Sequence, residues 1–332
     1  MVGAVSGDYP LLAIVGPTAA GKSALALVLA ERLAGELVNY DSVQVFRGFN
    51  IGAGKVAPEE RRGIPHHLLD ILEPDQVFTA GDYRQAALAV LNSVQRRQKV
   101  PILVGGTGLY LRALLLGLFE GPPRSENLRA RLRELARRRG REFLHRLLKR
   151  LDPPTAARIQ APDTQKIIRA VEVCLLTRQP MSRMLAGGRS GLRGFRFFKI
   201  GLNPDRARLY ERINRRVEQM FASGLLEETR GQLARPDAAR LKPLGALGYR
   251  QACAVLRGER SVQNAMRETQ AATRQYAKRQ MTWFRRETDV TWFAGFGDDP
   301  EIQRQVLDWL ERHGLQPRAF QPSASPVVST SS

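Results

Sequence analysis

The run Leu11-Leu12-Ala13-Ile14-Val15 leads into Gly16-Pro17-Thr18-Ala19-Ala20-Gly21-Lys22-Ser23, and Ala24-Leu25-Ala26-Leu27-Val28-Leu29-Ala30 follows. An apolar strand, a G-x-x-x-x-G-K-S loop and an apolar helical run in this order restrict the chain to an α/β fold with a parallel sheet flanked by helices, a P-loop NTPase-like core. The two glycines let the backbone curl so that N–H groups turn inward, and the helix beginning near Lys22 adds its dipole. Lys22 supplies a point charge, and the Ser23 hydroxyl is placed to ligate Mg²⁺. Residues Gly16 to Ser23 therefore read as the seat of a diphosphate.

A chain of 332 residues with 43% hydrophobic side chains has material for two packed domains. No apolar run approaches the roughly 18 residues of a membrane span, and Met1 to Asp8 lack the basic-then-apolar order of a signal peptide. The expectation is a cytoplasmic protein without a membrane partner. Cys174 and Cys253 each lie in an apolar helical context and read as buried free thiols. Charge says more: 52 Lys and Arg against 32 Asp and Glu leave a net +20, which points to a polyanionic partner.

Along the chain, Glu36-Leu37-Val38-Asn39 reads as a second strand that ends at Tyr40-Asp41-Ser42-Val43-Gln44-Val45-Phe46-Arg47. The carboxyl ends of strands line the ligand crevice of an open α/β sheet, so Asp41 and Ser42 are expected to face the phosphates. A cap or structural carboxylate is the plainer reading of Asp41. His66 and His67 lack the spacing of metal ligands and read as core-edge histidines. A helix capped by Thr79 runs to Arg96, and Val100-Pro101-Ile102-Leu103-Val104 reads as a buried parallel strand. Gly105-Gly106-Thr107-Gly108-Leu109-Tyr110 then opens a helix through Leu116. That turn places Thr107 beside the phosphate loop, either with hydroxyl and N–H free for an anion or substrate, or as a plain capping residue.

Composition changes at Gly121-Pro122-Pro123: residues 121–196 hold 19 Lys or Arg against 6 Asp or Glu, most of the chain's surplus. Helices are predicted around 125–139, 141–150, 153–160 and 163–178, with Arg137-Arg138-Arg139-Gly140-Arg141 at one junction. This is read as a basic all-helical subdomain that grips nucleic acid, inserted between core segments 8–120 and 197–314. Residues 315–332 are expected to be disordered. In the second core segment, Arg208, Arg212, Arg215 and Arg216 crowd one helix, so at least one reaches an anionic centre. A long helix is predicted to hold Thr273 to Arg286, with Arg274, Lys278 and Arg285 on one face and Tyr276 and Trp283 interleaved.

With these residues in view, the phosphate loop, Asp41 to Arg47, Ile64-Pro65-His66-His67-Leu68, Gly105 to Tyr110, Arg169-Ala170-Val171-Glu172-Val173 and Thr273 to Gln280 resemble, in order, the motifs of bacterial tRNA dimethylallyltransferases. These IPP transferases modify the adenosine 3′ of the anticodon. The resemblance spans roughly residues 11–293 and departs from the usual pattern at Phe46, Ile51 to Lys55 and Ala161. It implies dimethylallyl diphosphate as donor, its diphosphate on the phosphate loop with Mg²⁺, and a tRNA anticodon stem-loop as the acceptor. It further implies Asp41 as general base, with Lys22, Thr107 and Arg216 stabilising the leaving diphosphate. Contacts to tRNA are implied for Asp41, Ser42, Val43, Gln44, Thr107 and Arg129, and for Gln165, Lys166, Ile167, Ile168 and Arg169. They are implied also for Gly245, Ala246, Leu247, Gly248, Tyr249 and Arg250, and for Lys278, Arg279, Gln280, Trp283 and Arg285. A monomer is expected. Two rivals remain on sequence: a P-loop kinase for a small metabolite, and an isopentenyltransferase acting on a free adenine nucleotide.

Overall fold

The strand Tyr9–Val15 (β1) is buried from Leu11 onward, at 1% exposure or less. Such a run, apolar on both faces, belongs at the centre of a parallel sheet covered on both sides. The computed structural model describes residues 9–119, 121–188 and 190–316, and β1 sits there inside a six-stranded, wholly parallel sheet. Its other strands are Gly35–Asn39 (β2), His66–His67 (β3), Val100–Val104 (β4), Phe195–Leu202 (β5) and Val290–Phe293 (β6), in the order β3-β2-β4-β1-β5-β6. β1 pairs on one side with β4, Leu12 opposite Ile102, and on the other with β5 over seven residues, Tyr9 opposite Phe195 through Val15 opposite Gly201.

Parallel neighbours require crossovers, and helices supply them. Lys22–Leu33 (α1) links β1 to β2, Ala80–Arg96 (α2) precedes β4, and Gly108–Leu116 (α3) follows it. Thr79 caps α2 as predicted, in a capping box with Asp82. After β5 come Arg206–Ala222 (α9), Leu225–Leu233 (α10), Tyr249–Leu256 (α11), Val262–Phe284 (α12) and, past β6, Pro300–Arg312 (α13). The predicted helix through Arg286 ends two residues earlier, with Arg285 at its cap. α13 packs Ile302, Val306 and Leu310 into the core cluster that α1 shares with the sheet.

The chain divides into two compact units, Met1–Leu114 with Arg193–Ser332, and Leu115–Leu192. The second is helical: Glu126–Arg139 (α4), Arg141–Leu151 (α5), Pro153–Arg158 (α6), Thr164–Thr177 (α7) and Met181–Ala186 (α8). Leu132, Leu144, Leu148, Ile167, Ile168 and Val171 form its core. Buried Asp152 ties α6 to α8 by accepting the N–H groups of Thr155 and Ser182 at 3.1 and 2.8 Å. α8 and β6 escaped the sequence reading, being short and flanked by Gly and Pro or charged residues. Both cysteines are buried free thiols. Among the described residues no helix is long and apolar enough to cross a membrane. Most of the predicted tail, residues 317–332, lies outside the described residues.

Candidate active site

The turns after β1, β2 and β4 meet at the carboxyl edge of the sheet, where the skipped neighbour of β1 opens a crevice. After β1, Gly16 and Gly21 adopt φ of +141° and +82°, angles that side chains resist. A Cβ on Gly21 would lie 2.6 Å from Asp298 Oδ1 and 2.8 Å from Gly297 N, so the turn after β6 presses on the rim of the loop. α1 starts at Lys22, and Leu25 N–H donates to Gly21 O at 3.1 Å. The N–H groups of Lys22 and Ser23 thus have no helical acceptor, and both residues line a cavity of 680 Å³. Two further loop donors are already engaged. Thr18 N–H donates to Gln280 Oε1 at 2.7 Å and Ala20 N–H to Pro17 O at 3.3 Å, so the anion seat is narrower than the sequence implies.

Lys22 Nζ donates to Pro17 O at 2.7 Å. Burial first, then the Arg216 charge, pulls its ammonium down to about 7, and Asp41 opposes this. Arg216 is itself lowered by burial and by Arg212, with Asp41 again opposing. A diphosphate restores the preference for the charged amine, so binding near pH 8 is expected to take up about one proton through Lys22. Calorimetry with inorganic diphosphate in buffers of different ionisation enthalpy checks this: the proton uptake of the parent minus that of Lys22→Met should approach one, and a difference of zero would reject it.

After β2, Asp41 Oδ1 accepts the N–H groups of Val43 at 2.9 Å and Gln44 at 3.4 Å. The capping reading of Asp41 and the chemical one therefore coexist. Oδ1 holds the turn, and Oδ2 has no hydrogen-bond donor among the described residues. A Cβ on Gly106 would lie 3.0 Å from Oδ2 and 2.8 Å from Gln280 Nε2, so the bare glycine admits both. Thr107 requires a correction. Its N–H donates to Tyr40 O at 3.1 Å, and its hydroxyl accepts Ser42 N–H at 3.0 Å and donates to Ser42 Oγ at 3.1 Å. Neither group is free for an anion; Thr107 instead fixes the Asp41-Ser42 turn against the Gly105-Gly106 turn.

A second cavity, of 330 Å³, adjoins the first. The two share Thr18, Ala19, Asp41, Ala53, Arg216 and Tyr276. Its walls are largely apolar, from Val43, Ile213, Val217, Met220 and Leu247, with Ser42, Thr273 and Arg279 at polar points. Tyr276, which the sequence reading interleaved with the basic residues of the long helix, donates its hydroxyl to Gly106 O at 3.2 Å; burial and the Asp41 charge push its phenol up.

The residues expected at tRNA fall into groups. Asp41, Ser42, Val43, Gly245, Ala246, Leu247, Gly248 and Arg279 line the second cavity, and Gln44 the first. Arg250 is exposed in a separate cleft beside Tyr210 and Gln275, while Lys278 and Arg285 are exposed in another beside Pro17. Others are withdrawn from solvent. Tyr249 is fully buried, and Gln280 spends its amide between Thr18 N–H and Gly106 O, the latter at 3.0 Å. Trp283 is half-buried under the Arg112 guanidinium, 4.5 Å from its ring centre, with Gly108 against the ring. In the helical unit Ile167 and Ile168 are core residues at 0% and 1% exposure, so their side chains cannot touch RNA. Arg129 grips buried Glu172 with both ends, at 2.9 and 2.8 Å, and Arg169 adds a third bond at 2.7 Å. Burial alone would raise the Glu172 carboxyl, yet these bonds prevail and hold it at about 2. Gln165 and Lys166 are exposed.

His66 and His67 form the edge strand β3 and also line the larger cavity, with His67 Nε2 2.6 Å from buried Glu36. Among the described residues no group of three or more His, Cys, Asp or Glu could hold a metal.

A wholly parallel sheet with a glycine-bounded phosphate loop after its central strand is the P-loop NTPase-like class of core. The family model for IPP transferases matches residues 44–287. Curated tRNA dimethylallyltransferases of Solibacter usitatus and Koribacter versatilis are each 52% identical, over 90% and 92% of this chain and 97% and 99% of theirs. This chain belongs to the IPP transferase family. Among solved structures, the tRNA isopentenylpyrophosphate transferase of Bacillus halodurans is 35% identical with a TM-score of 0.65, covering 92% of this chain and 95% of that one. A eukaryotic dimethylallyltransferase acting on tRNA shares the fold at a TM-score of 0.78 and 22% identity, covering 95% and 82%.

Proposed function

We propose that this chain transfers the dimethylallyl group of dimethylallyl diphosphate to N6 of the tRNA adenosine that lies 3′ to the anticodon, releasing diphosphate. The observation that carries the reading is the meeting of two unlike cavities at Asp41 and Arg216. The larger, bounded by the phosphate loop, Lys22, Arg212, Arg215 and Arg216, suits a diphosphate. The smaller, apolar-walled one suits a purine swung out of an RNA loop. Relatives at 52% identity that are named tRNA dimethylallyltransferases support both substrates.

The chemistry follows from that meeting point. An exocyclic adenine amine is a weak nucleophile because its lone pair is delocalised into the ring. Asp41 Oδ2 accepts a proton from N6 as the N6–C1 bond forms and the allylic C1–O bond breaks. Negative charge then grows on the departing diphosphate, where Lys22, Arg216 and the open N–H groups of α1 meet it. The Ser23 hydroxyl offers a hard oxygen donor to the larger cavity, which fits Mg²⁺ held chiefly by phosphate and water. When bound, that ion adds charge neutralisation at the diphosphate. Unstacking the base costs a few kcal/mol, which the contacts of the basic helical unit offset.

The test is to incubate the protein with Mg²⁺, dimethylallyl diphosphate and unmodified tRNA, and to weigh the digested nucleosides. One dimethylallyl group added to adenosine, only in tRNAs with adenosine beside the anticodon, supports the reading. Gain on free AMP alone would move the acceptor to a mononucleotide, and ATP consumption without gain would make the loop a kinase site. The helical unit has its own check. Arg137 and Arg138 are 76% and 73% exposed, and both pair with Glu134. Reversing Arg137, Arg138 and Arg139 together is expected to weaken tRNA binding and to lower the slope of log K against log salt by about 0.7–0.9 for each phosphate that is no longer neutralised. An unchanged slope would remove these arginines from the RNA surface.

A further inference from the structure

Gly52 and Ala53 of the loop from Asn50 to Gly54 line the smaller cavity and Ala53 and Gly54 the larger, and the backbone donors of Asn50 to Ala53 turn one way. Glu228, on α10, accepts the N–H of Asn50 at 3.0 Å, of Ile51 at 3.1 and 3.0 Å, and of Gly52 at 3.5 Å. The N–H of Ala53 donates to Tyr249 Oη at 3.2 Å, and Tyr249 in turn donates to Glu228 Oε1 at 2.5 Å. Four successive amides thus end on one carboxylate and the phenol it holds. Burial and the adjacent carboxylate push that phenol well above its ordinary range, so it stays a donor. On the opposite side, the carbonyls of Ala53 and Gly54 accept Gln44 Nε2 at 3.1 and 3.3 Å, and Gln44 N–H reaches Asp41. Gly54, at φ +61°, lies flat against the Arg216 guanidinium; a Cβ there would be 1.8 Å from Nη2. The loop therefore touches Arg216 directly and Asp41 through Gln44, the two groups at the meeting point of the cavities.

We propose that Glu228, acting with Tyr249 through the Asn50–Gly54 loop, is a positioning residue that sets Arg216 and the Asp41 turn in register for transfer. The proposal rests on the transferase reading given above. A carboxylate is required because every group facing it is a donor; an amide turns a donor of its own toward those amides. Misplacement of reacting groups by about 1 Å costs on the order of 10²-fold in rate, without removing any group that touches substrate.

The experiment measures single-turnover transfer at saturating dimethylallyl diphosphate and tRNA, tRNA affinity and melting temperature for the parent, Glu228→Gln, Tyr249→Phe and the neighbouring Glu227→Gln. Glu227 is 68% exposed and paired with Arg230 at 3.7 Å, so its variant should behave as the parent. Glu228→Gln is expected to slow transfer on the order of 10- to 100-fold with tRNA affinity kept. Tyr249→Phe should lose less, because Glu228 retains its backbone donors. A folded Glu228→Gln within about twofold of the parent, or a deficit that vanishes well below the melting temperature, would overturn the proposal. Should Glu228→Gln not fold, an unimpaired Tyr249→Phe overturns it and a slowed one supports it. A parent that transfers nothing overturns the transferase reading and the proposal together, whereas an active parent with an equally active Glu228→Gln overturns the proposal alone.

Discussion

Asp41→Asn is expected to lower the rate of dimethylallyl transfer by about 10²–10⁴-fold, the usual share of a general base, while tRNA affinity stays near that of the parent. Asparagine is the informative replacement because Asp41 does two things. Its Oδ1 accepts the N–H groups of Val43 and Gln44, and alanine would release that turn along with the base. Asparagine keeps an accepting oxygen for the turn and leaves an amide where Oδ2 stood, a group that cannot take the proton. Single-turnover transfer and a filter-binding titration with the same tRNA separate the two effects. Near-normal turnover in Asp41→Asn would take the base role away from this residue.

Lys22→Met is expected to cost about 10²–10³-fold in transfer, the range for losing one preorganised donor to developing charge, and yet to stabilise the substrate-free fold. Burial and Arg216 hold the Lys22 ammonium down to about 7, against an ordinary value of 10.5 in the unfolded chain. Below pH 7 both states carry the proton, and the native state bears the full cost of burying a charge beside a guanidinium. As pH rises from 7 toward 10.5 the native state sheds its proton first, and that cost is progressively relieved. The stabilisation by Lys22→Met should therefore be largest at pH 6 and shrink by pH 9, read as the difference in melting temperature from the parent. A variant that is less stable than the parent at pH 6 would show that the amine is not held at a loss. Strain of this kind is common where a site is built for a ligand rather than for rest.

Much of the sheet was legible because buried parallel strands announce themselves: Leu11 to Val15 and Val100 to Val104 are apolar runs bounded by turn residues. The phosphate loop was legible for the same local reason, its glycines standing where φ must be positive. β6 was not, since Val290-Thr291-Trp292-Phe293 is short and only its pairing with β5 makes it a strand. Site residues divide along a similar line. Asp41 sits in a turn after a strand, and Lys22 and Ser23 open the helix after the phosphate loop, places the sequence marks directly. The engagement of Thr107 by Tyr40 and Ser42, of Gln280 by Thr18 and Gly106, and of Arg129 by Glu172 depends on partners far along the chain, which periodicity does not report. Glu228 left no trace at all: in sequence it is one more acidic residue, beside Glu227.

The pairing of β1 with β5 also bears on how the chain comes together. During synthesis the central strand emerges near the N-terminus, and its longest-registered neighbour is made only after the whole helical unit. Closing so large a loop is entropically slow, and the apolar edge of β1 stays bare in the meantime. The helical unit shortens the wait by its own closure. Leu192 N–H donates to Leu115 O at 2.9 Å, so once that unit has folded its two ends lie side by side. To the growing sheet it then counts as a short connector, and the loop left to close between β1 and β5 is shorter by the length of that unit. The insertion acts, in kinetic terms, as a prefabricated link.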